Sequence, residues 1–103
     1  MEIIQPSELK QRMDAGEILH LIDVRQPDEH AVFNIGGTLL PLSAILSLQV
    51  DSIESLKENE IICYCRSGQR SMQAAMMLES MGFQSVKNLS GGMMAWESLF
   101  PRQ

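Results

Sequence analysis

Basic residues are in short supply. Eight Lys and Arg stand against 13 Asp and Glu, a formal charge of -5, and the isoelectric point is near 4.9. No broad positive face exists to hold a phosphate backbone, so nucleic acid is not an expected partner. Long apolar runs are missing as well: nowhere do about eighteen apolar residues follow one another. The first ten residues, MEIIQPSELK, carry Glu2 and no sustained apolar stretch. Neither a signal peptide nor a membrane partner is therefore expected, and the cytoplasm is the expected compartment. Cysteine is limited to Cys63 and Cys65. Two residues apart in an extended strand, they sit near the upper limit of disulfide geometry, so no intrachain bridge is expected and the usage fits a reducing compartment. Internal repeats, linkers and low-complexity segments are absent too. What remains is a chain of 103 residues that is 45% hydrophobic, enough for one core without metal or disulfide staples, and a single domain over residues 1–103 is expected.

The apolar pattern alternates between strand and helix. Ile3 and Ile4 start a short strand, Pro6 opens a helix that turns Leu9 and Met13 inward, and Gly16 ends it. Leu19 to Val24 reads as a buried strand that stops at Arg25, before a polar loop QPDEH that holds His30; His20 falls inside the strand. Asn34 to Pro41 gives a turn and a brief strand. Ser43 to Leu56 gives two short helical pieces broken around Val50 and Asp51. Glu60 to Tyr64 is a third strand, followed by Cys65-Arg66-Ser67-Gly68-Gln69-Arg70-Ser71 and a helix to Met81 with Gly82 as its terminator. Val86 to Leu89 is a last strand. Gly91-Gly92 then opens a helix in which Trp96, Leu99 and Phe100 are expected to pin it to the sheet. Strands and helices at this spacing predict an α/β fold: a mostly parallel central sheet of about five strands with helices on both faces.

The chemistry concentrates where the Glu60–Tyr64 strand meets the next helix. Such a junction aims backbone N–H groups and the positive end of a helix at one spot, and a thiol placed there is biased toward thiolate, the reactive form. Cys65 holds that position. Arg66 and Arg70 flank it, Gly68 lets the backbone curl so that amides converge, and Ser67 and Ser71 add hydroxyls. From Ile61 to Leu78 there are two arginines and no Asp or Glu, so an otherwise acidic chain has one local anion-attracting spot. Ser71, Ala74 and Ala75 are small enough to bring the helix close to the sheet. Cys63 lies inside an apolar run and belongs to the core.

The stretch Cys65 to Ser71 resembles the active-site loop of rhodanese-like sulfurtransferases, and two further motifs agree with it. Leu21-Ile22-Asp23-Val24-Arg25 with Glu29-His30 looks like the family's upstream motif, and Leu89-Ser90-Gly91-Gly92 with Ala95-Trp96 looks like its C-terminal G-G…W motif. One segment departs: Asn34 stands where many members have His. The resemblance implies a single-domain rhodanese fold and sulfur transfer.

On this reading Cys65 is the catalytic nucleophile that takes sulfur from a small anionic donor such as thiosulfate or a persulfide. It passes the sulfur to a thiol or a sulfur carrier protein. Amides from Arg66 to Ser71 are expected to stabilise the extra sulfur, Arg66 and Arg70 to orient the donor, and Ser67 and Gln69 to shape access. No metal or organic cofactor is required, and no clustered His/Cys ligand set is present. Cysteine phosphatases resemble C-x5-R, whereas Arg70 comes five residues after Cys65, so the loop is one residue short for a phosphoryl group. A non-catalytic interaction module has no need of the thiol and both arginines. Asp23 and Arg25 are expected to form an ion pair near the ends of adjacent strands, with His30 solvated or structural.

Overall fold

The computed structural model describes residues 1–102. Five strands form one sheet, β1 Glu2–Ile4, β2 Leu21–Asp23, β3 Thr38–Leu39, β4 Glu60–Tyr64 and β5 Ser85–Leu89. They lie in the order β1-β5-β4-β2-β3, and every pairing is parallel. The helices are α1 Pro6–Asp14, α2 Pro27–Val32, α3 Leu42–Leu46, α4 Gln69–Ser80 and α5 Gly92–Leu99, with a 3-10 turn over Asp51–Leu56. No helix of the described residues is long and apolar enough to cross a membrane.

Alternation along β4 divides the core into two layers, as the two-residue period of a strand requires. Ile61, Cys63 and Cys65 face Ala74, Ala75 and Leu78 of α4 and Ile45 of α3. Ile62 and Tyr64 face Leu9 of α1 and Met93 and Trp96 of α5. Side chains of the Leu and Ile kind contribute about 1.5–3 kcal/mol each when fully buried, so the central strand is fixed from both sides. Ser71, Ala74 and Ala75 are all fully buried, which is the close approach of α4 to the sheet that small residues allow.

Four expectations need correction. The polar segment QPDEH is not a loop but the start of α2: Pro27 takes the first helical turn, and Gln26 and Glu29 form a reciprocal capping box that satisfies the orphan amides of a short helix. The second strand begins at Leu21, so His20 lies before it, with its carbonyl accepting the Ile62 amide at 2.9 Å. Asp23 and Arg25 sit at the end of one strand, not on adjacent strands. Leu99 is 58% exposed; the anchor of α5 is Trp96 packed edge-on against Phe100 at 4.8 Å between ring centres.

The order of strands sets where a site can form. From β2 the chain moves outward to β3, and from β4 it moves the other way to β5. The connections therefore diverge above the C-terminal ends of β2 and β4, which leaves a crevice there. Into that crevice the sequence puts Asp23 to Glu29 after β2 and Cys65 to Ser71 after β4. The Arg12–Glu60–Lys87 ion-pair cluster lies at the opposite end of the sheet.

Candidate active site

Cys65 directly follows β4, and Gly68 caps α4 with φ +102°, a left-handed turn that glycine adopts without steric penalty. This turn reverses the chain so that amides point at the sulfur. The Gly68 N–H lies 3.1 Å and the Ser71 N–H 3.4 Å from Cys65 Sγ, and the Ser71 hydroxyl is also at 3.4 Å. Cys65 itself is 1% exposed. Burial pushes its thiol up, but the hydrogen-bonding groups around it, the Ser71 side chain and the amides of Ser71, Gly68 and Ser67, outweigh it, and the net direction is down. Cys63, two residues earlier, has burial and the neighbouring Cys65 charge against it and is pushed up to about 12. At neutral pH the two thiols are thus chemically unlike, and only Cys65 is biased toward the reactive anion.

The other half of the loop is held by α5. The Met93 N–H donates to the Cys65 carbonyl at 2.8 Å and the Met94 N–H to the Arg66 carbonyl at 2.9 Å. These are two of the free amides that any helix start provides. They draw the loop's carbonyls outward, which leaves its N–H groups to face the sulfur. Contact is so close that a Cβ on Gly92 would stand 2.4 Å from the Cys65 oxygen and 2.6 Å from the Arg66 oxygen. The Gly-Gly pair is therefore part of the loop's geometry as well as the start of a helix.

The two arginines differ. Arg70 is bound on both sides of its fork to Glu29 of α2, at 2.8 and 3.0 Å, a bidentate pair that uses its planar geometry fully. The Arg70 pair, with the Gln26 amide, holds the Glu29 carboxyl down to about 2. The Arg70 fork is thus occupied by Glu29, and the pair ties α2 to α4 across the crevice. Arg66 is exposed and has no carboxylate within ion-pair distance among the described residues. It lines a cleft of about 250 Å³ with Arg25, Glu29, Met93, Met94 and Glu97. Ser67 and Gln69 are exposed at the rim.

Beneath the cleft Asp23 is fully buried and accepts from Arg25 Nε and Nη2 at 2.9 Å each, from the Arg25 amide at 3.0 Å, and pairs with His30 Nδ1 at 2.8 Å. Burial raises its carboxyl and these hydrogen bonds outweigh that effect. Arg25 also donates to the Phe33 carbonyl at 2.7 Å, so the cluster fastens α2 to the end of β2. Asn34 serves the same segment, donating to the His30 carbonyl at 3.1 Å and accepting from Gly36 at 2.8 Å.

Sequence reasoning left three contributors without a role. Glu29 was legible through Pro-Asp-Glu, a proline at a helix start with acidic residues in the first turn. Asn88 is a polar residue on a buried strand, 3% exposed, and it contacts both Ser71 and Gly68. The Met93 and Met94 amides carry no side-chain signal at all.

The site is a thiol cradled by amides at a strand-to-helix junction of a parallel α/β sheet, and comparison with known proteins gives the class of domain to which it belongs. The family profile described as "Rhodanese-like domain" matches residues 5–99, and the chain belongs to that family. It is 38% identical over 99 residues to a putative sulfurtransferase, YtwF, of Bacillus subtilis, covering 94% of this chain and 93% of that one. A putative sulfur carrier protein, YrkF, of the same organism is 34% identical over 88 residues, covering 84% of this chain and 46% of the relative. Among solved structures, a human single domain sulfurtransferase, TSTD1, superposes with a TM-score of 0.79 at 26% identity, covering 100% of this chain and 99% of the other.

Proposed function

We propose that this protein is a sulfurtransferase that works through a persulfide on Cys65. The Cys65 thiolate attacks the outer sulfur of an anionic donor such as thiosulfate. A bond forms between Sγ and that sulfur, the donor's S–S bond breaks, and sulfite leaves with the electron pair. An acceptor thiolate then attacks the outer sulfur of the Cys65 persulfide, and Cys65 departs as thiolate. The balance needs no oxidant or reductant. On the enzyme the negative charge stays on sulfur, first on Sγ and then on the outer sulfur of the persulfide, and inward-facing amides stabilise it without reorganising during the reaction.

One observation carries this reading: the Gly68 and Ser71 amides converge on a buried Cys65 Sγ. Arg66, the exposed cation of the loop, attracts the donor, while Ser67 and Gln69 border its approach. Arg70 holds the loop against Glu29 and does not contact the donor. That commitment also weighs against phosphate-ester hydrolysis, which needs a free guanidinium on the phosphoryl oxygens. A thiol or a sulfur carrier protein is the acceptor class. The relative named as a putative sulfur carrier protein supports the second.

Mass spectrometry after incubation with thiosulfate tests the proposal. A gain of one sulfur mapped to Cys65, lost in a folded Cys65→Ser variant, is the expected result. Unchanged transfer by Cys65→Ser, or phosphate-ester turnover without thiosulfate:cyanide activity, would overturn it.

A further inference from the structure

Behind the cradle the Ser71 hydroxyl faces two partners but has only one hydrogen to give. Its oxygen lies 3.4 Å from Cys65 Sγ and 2.5 Å from Asn88 Oδ1. The Asn88 amide is fixed in orientation, because its Nδ2 donates to the Gly68 carbonyl at 3.1 Å; turned over, it would set two acceptors against each other. With Oδ1 toward Ser71, the hydroxyl must donate to Asn88, and only its lone pairs remain for the sulfur. The chain of bonds closes on itself: Cys65 S–H to Ser71, Ser71 to Asn88, Asn88 to the Gly68 carbonyl, and the Gly68 N–H back to Cys65 Sγ. All four residues are buried, and the backbone of Asn88 is paired with Cys63 in the sheet, so the amide has no room to swing aside.

We propose that Asn88 is a positioning residue for the sulfur chemistry: by holding the Ser71 hydroxyl hydrogen, it favours the protonated thiol of Cys65 and restrains formation of the thiolate. For Ser71 to donate to an anionic sulfur it must turn away from Asn88, leaving the buried Oδ1 without a donor, which is unfavourable. The amides of Gly68 and Ser71 draw the proton off Cys65, and Asn88 acts against them. This inference rests on the sulfurtransferase reading for its purpose, though not for its test. The titratable and charged groups around the sulfur are Arg66 and Arg70 on its own loop and helix, Glu29 of α2 paired with Arg70, the Asp23–Arg25–His30 cluster at the end of β2, and Cys63 on β4. The first turn of α5 brings none, and Lys87 of β5 is tied to Glu60.

The test is the pH profile of Cys65 alkylation by iodoacetamide, with the modified residue located by mass spectrometry and folding checked by circular dichroism. Asn88→Ala and Asn88→Leu free the hydroxyl, and each is expected to move the midpoint down by about one unit, a tenfold change in the ionisation equilibrium. Ser71→Ala, a mild truncation that does not depend on the Asn88 variants folding, is expected to shift it by less than about half a unit, because the hydrogen is already committed. In the Ser71→Ala background the Asn88→Ala shift disappears. A rise of a full unit or more in Ser71→Ala would overturn the proposal. So would folded Asn88 variants whose midpoint stays or climbs. Alkylation requires no sulfur donor, so a protein that takes no sulfur from thiosulfate would refute the sulfurtransferase reading and leave this profile to decide the role of Asn88 separately.

Discussion

Gly92→Ala is the substitution that most directly separates a loop held by α5 from a loop that merely precedes it. At φ +57° an added Cβ carries left-handed strain of about 1–2 kcal/mol. It would also stand 2.4 Å from the Cys65 oxygen, backbone that cannot yield as a flexible side chain would. The start of α5 must then retreat, weakening the Met93 and Met94 hydrogen bonds to the loop, at about 0.5–1.5 kcal/mol each. Gly82→Ala is the control: φ is +99° and nothing lies within 4 Å of the added Cβ, so it carries the strain alone. Gly92→Ala should therefore be less stable than Gly82→Ala by about 1–3 kcal/mol, which for a domain of this size is roughly 5–20 °C in Tm. Thermal and urea unfolding measure the difference. The alkylation midpoint of Cys65 should also rise in Gly92→Ala, as its carbonyls swing back and its amides turn from the sulfur. Equal melting of the two variants with an unmoved midpoint would refute the idea that α5 shapes the loop.

Two further outcomes are expected. Glu29→Gln removes the bidentate partner of Arg70 and, because the pair is partly exposed, should cost about 0.5–1 kcal/mol at neutral pH. The Glu29 carboxyl is lowered in the folded state to about 2, so its contribution is complete above the ordinary carboxylate range and fades as pH falls toward about 2. The urea-midpoint gap between wild type and Glu29→Gln should narrow over that window, and a gap constant from pH 7 to about 2.5 would contradict the assignment. Tyr64 is fully buried, and among the described residues its hydroxyl makes no hydrogen bond of full geometry, the Ile35 and Gly37 amides lying near it without closing one. Tyr64→Phe should consequently change unfolding free energy by less than about 0.5 kcal/mol, and a loss above about 1.5 kcal/mol would reveal a bond to that oxygen.

The fold was largely legible because its signals are local. Continuous apolar strands, glycine at helix ends and proline at helix starts report on neighbouring residues, and the parallel α/β arrangement follows from their alternation. Even the missed helix α2 had its signal in Gln26-Pro27-Asp28-Glu29; polarity concealed it, since a six-residue helix with no buried residue shows no apolar period. The position of Cys65 was legible for the same reason, as strand, thiol, glycine and helix follow one another within a few residues.

What composition and order could determine, then, was the element sequence, the thiol at a strand-to-helix junction, and the local excess of positive charge around it. Tertiary structure alone decided which of those charges is free. Glu29 and Arg70 are 41 positions apart and meet only because the chain diverges above β2 and β4. Asn88 reaches Ser71 across 17 positions, through the pairing of β4 with β5. The amides of α5 reach the loop by a contact that no side chain announces. Partner choice among charges and hydrogen-bonding groups depends on distance in space, and a parallel sheet brings together residues that its connecting helices hold far apart in sequence.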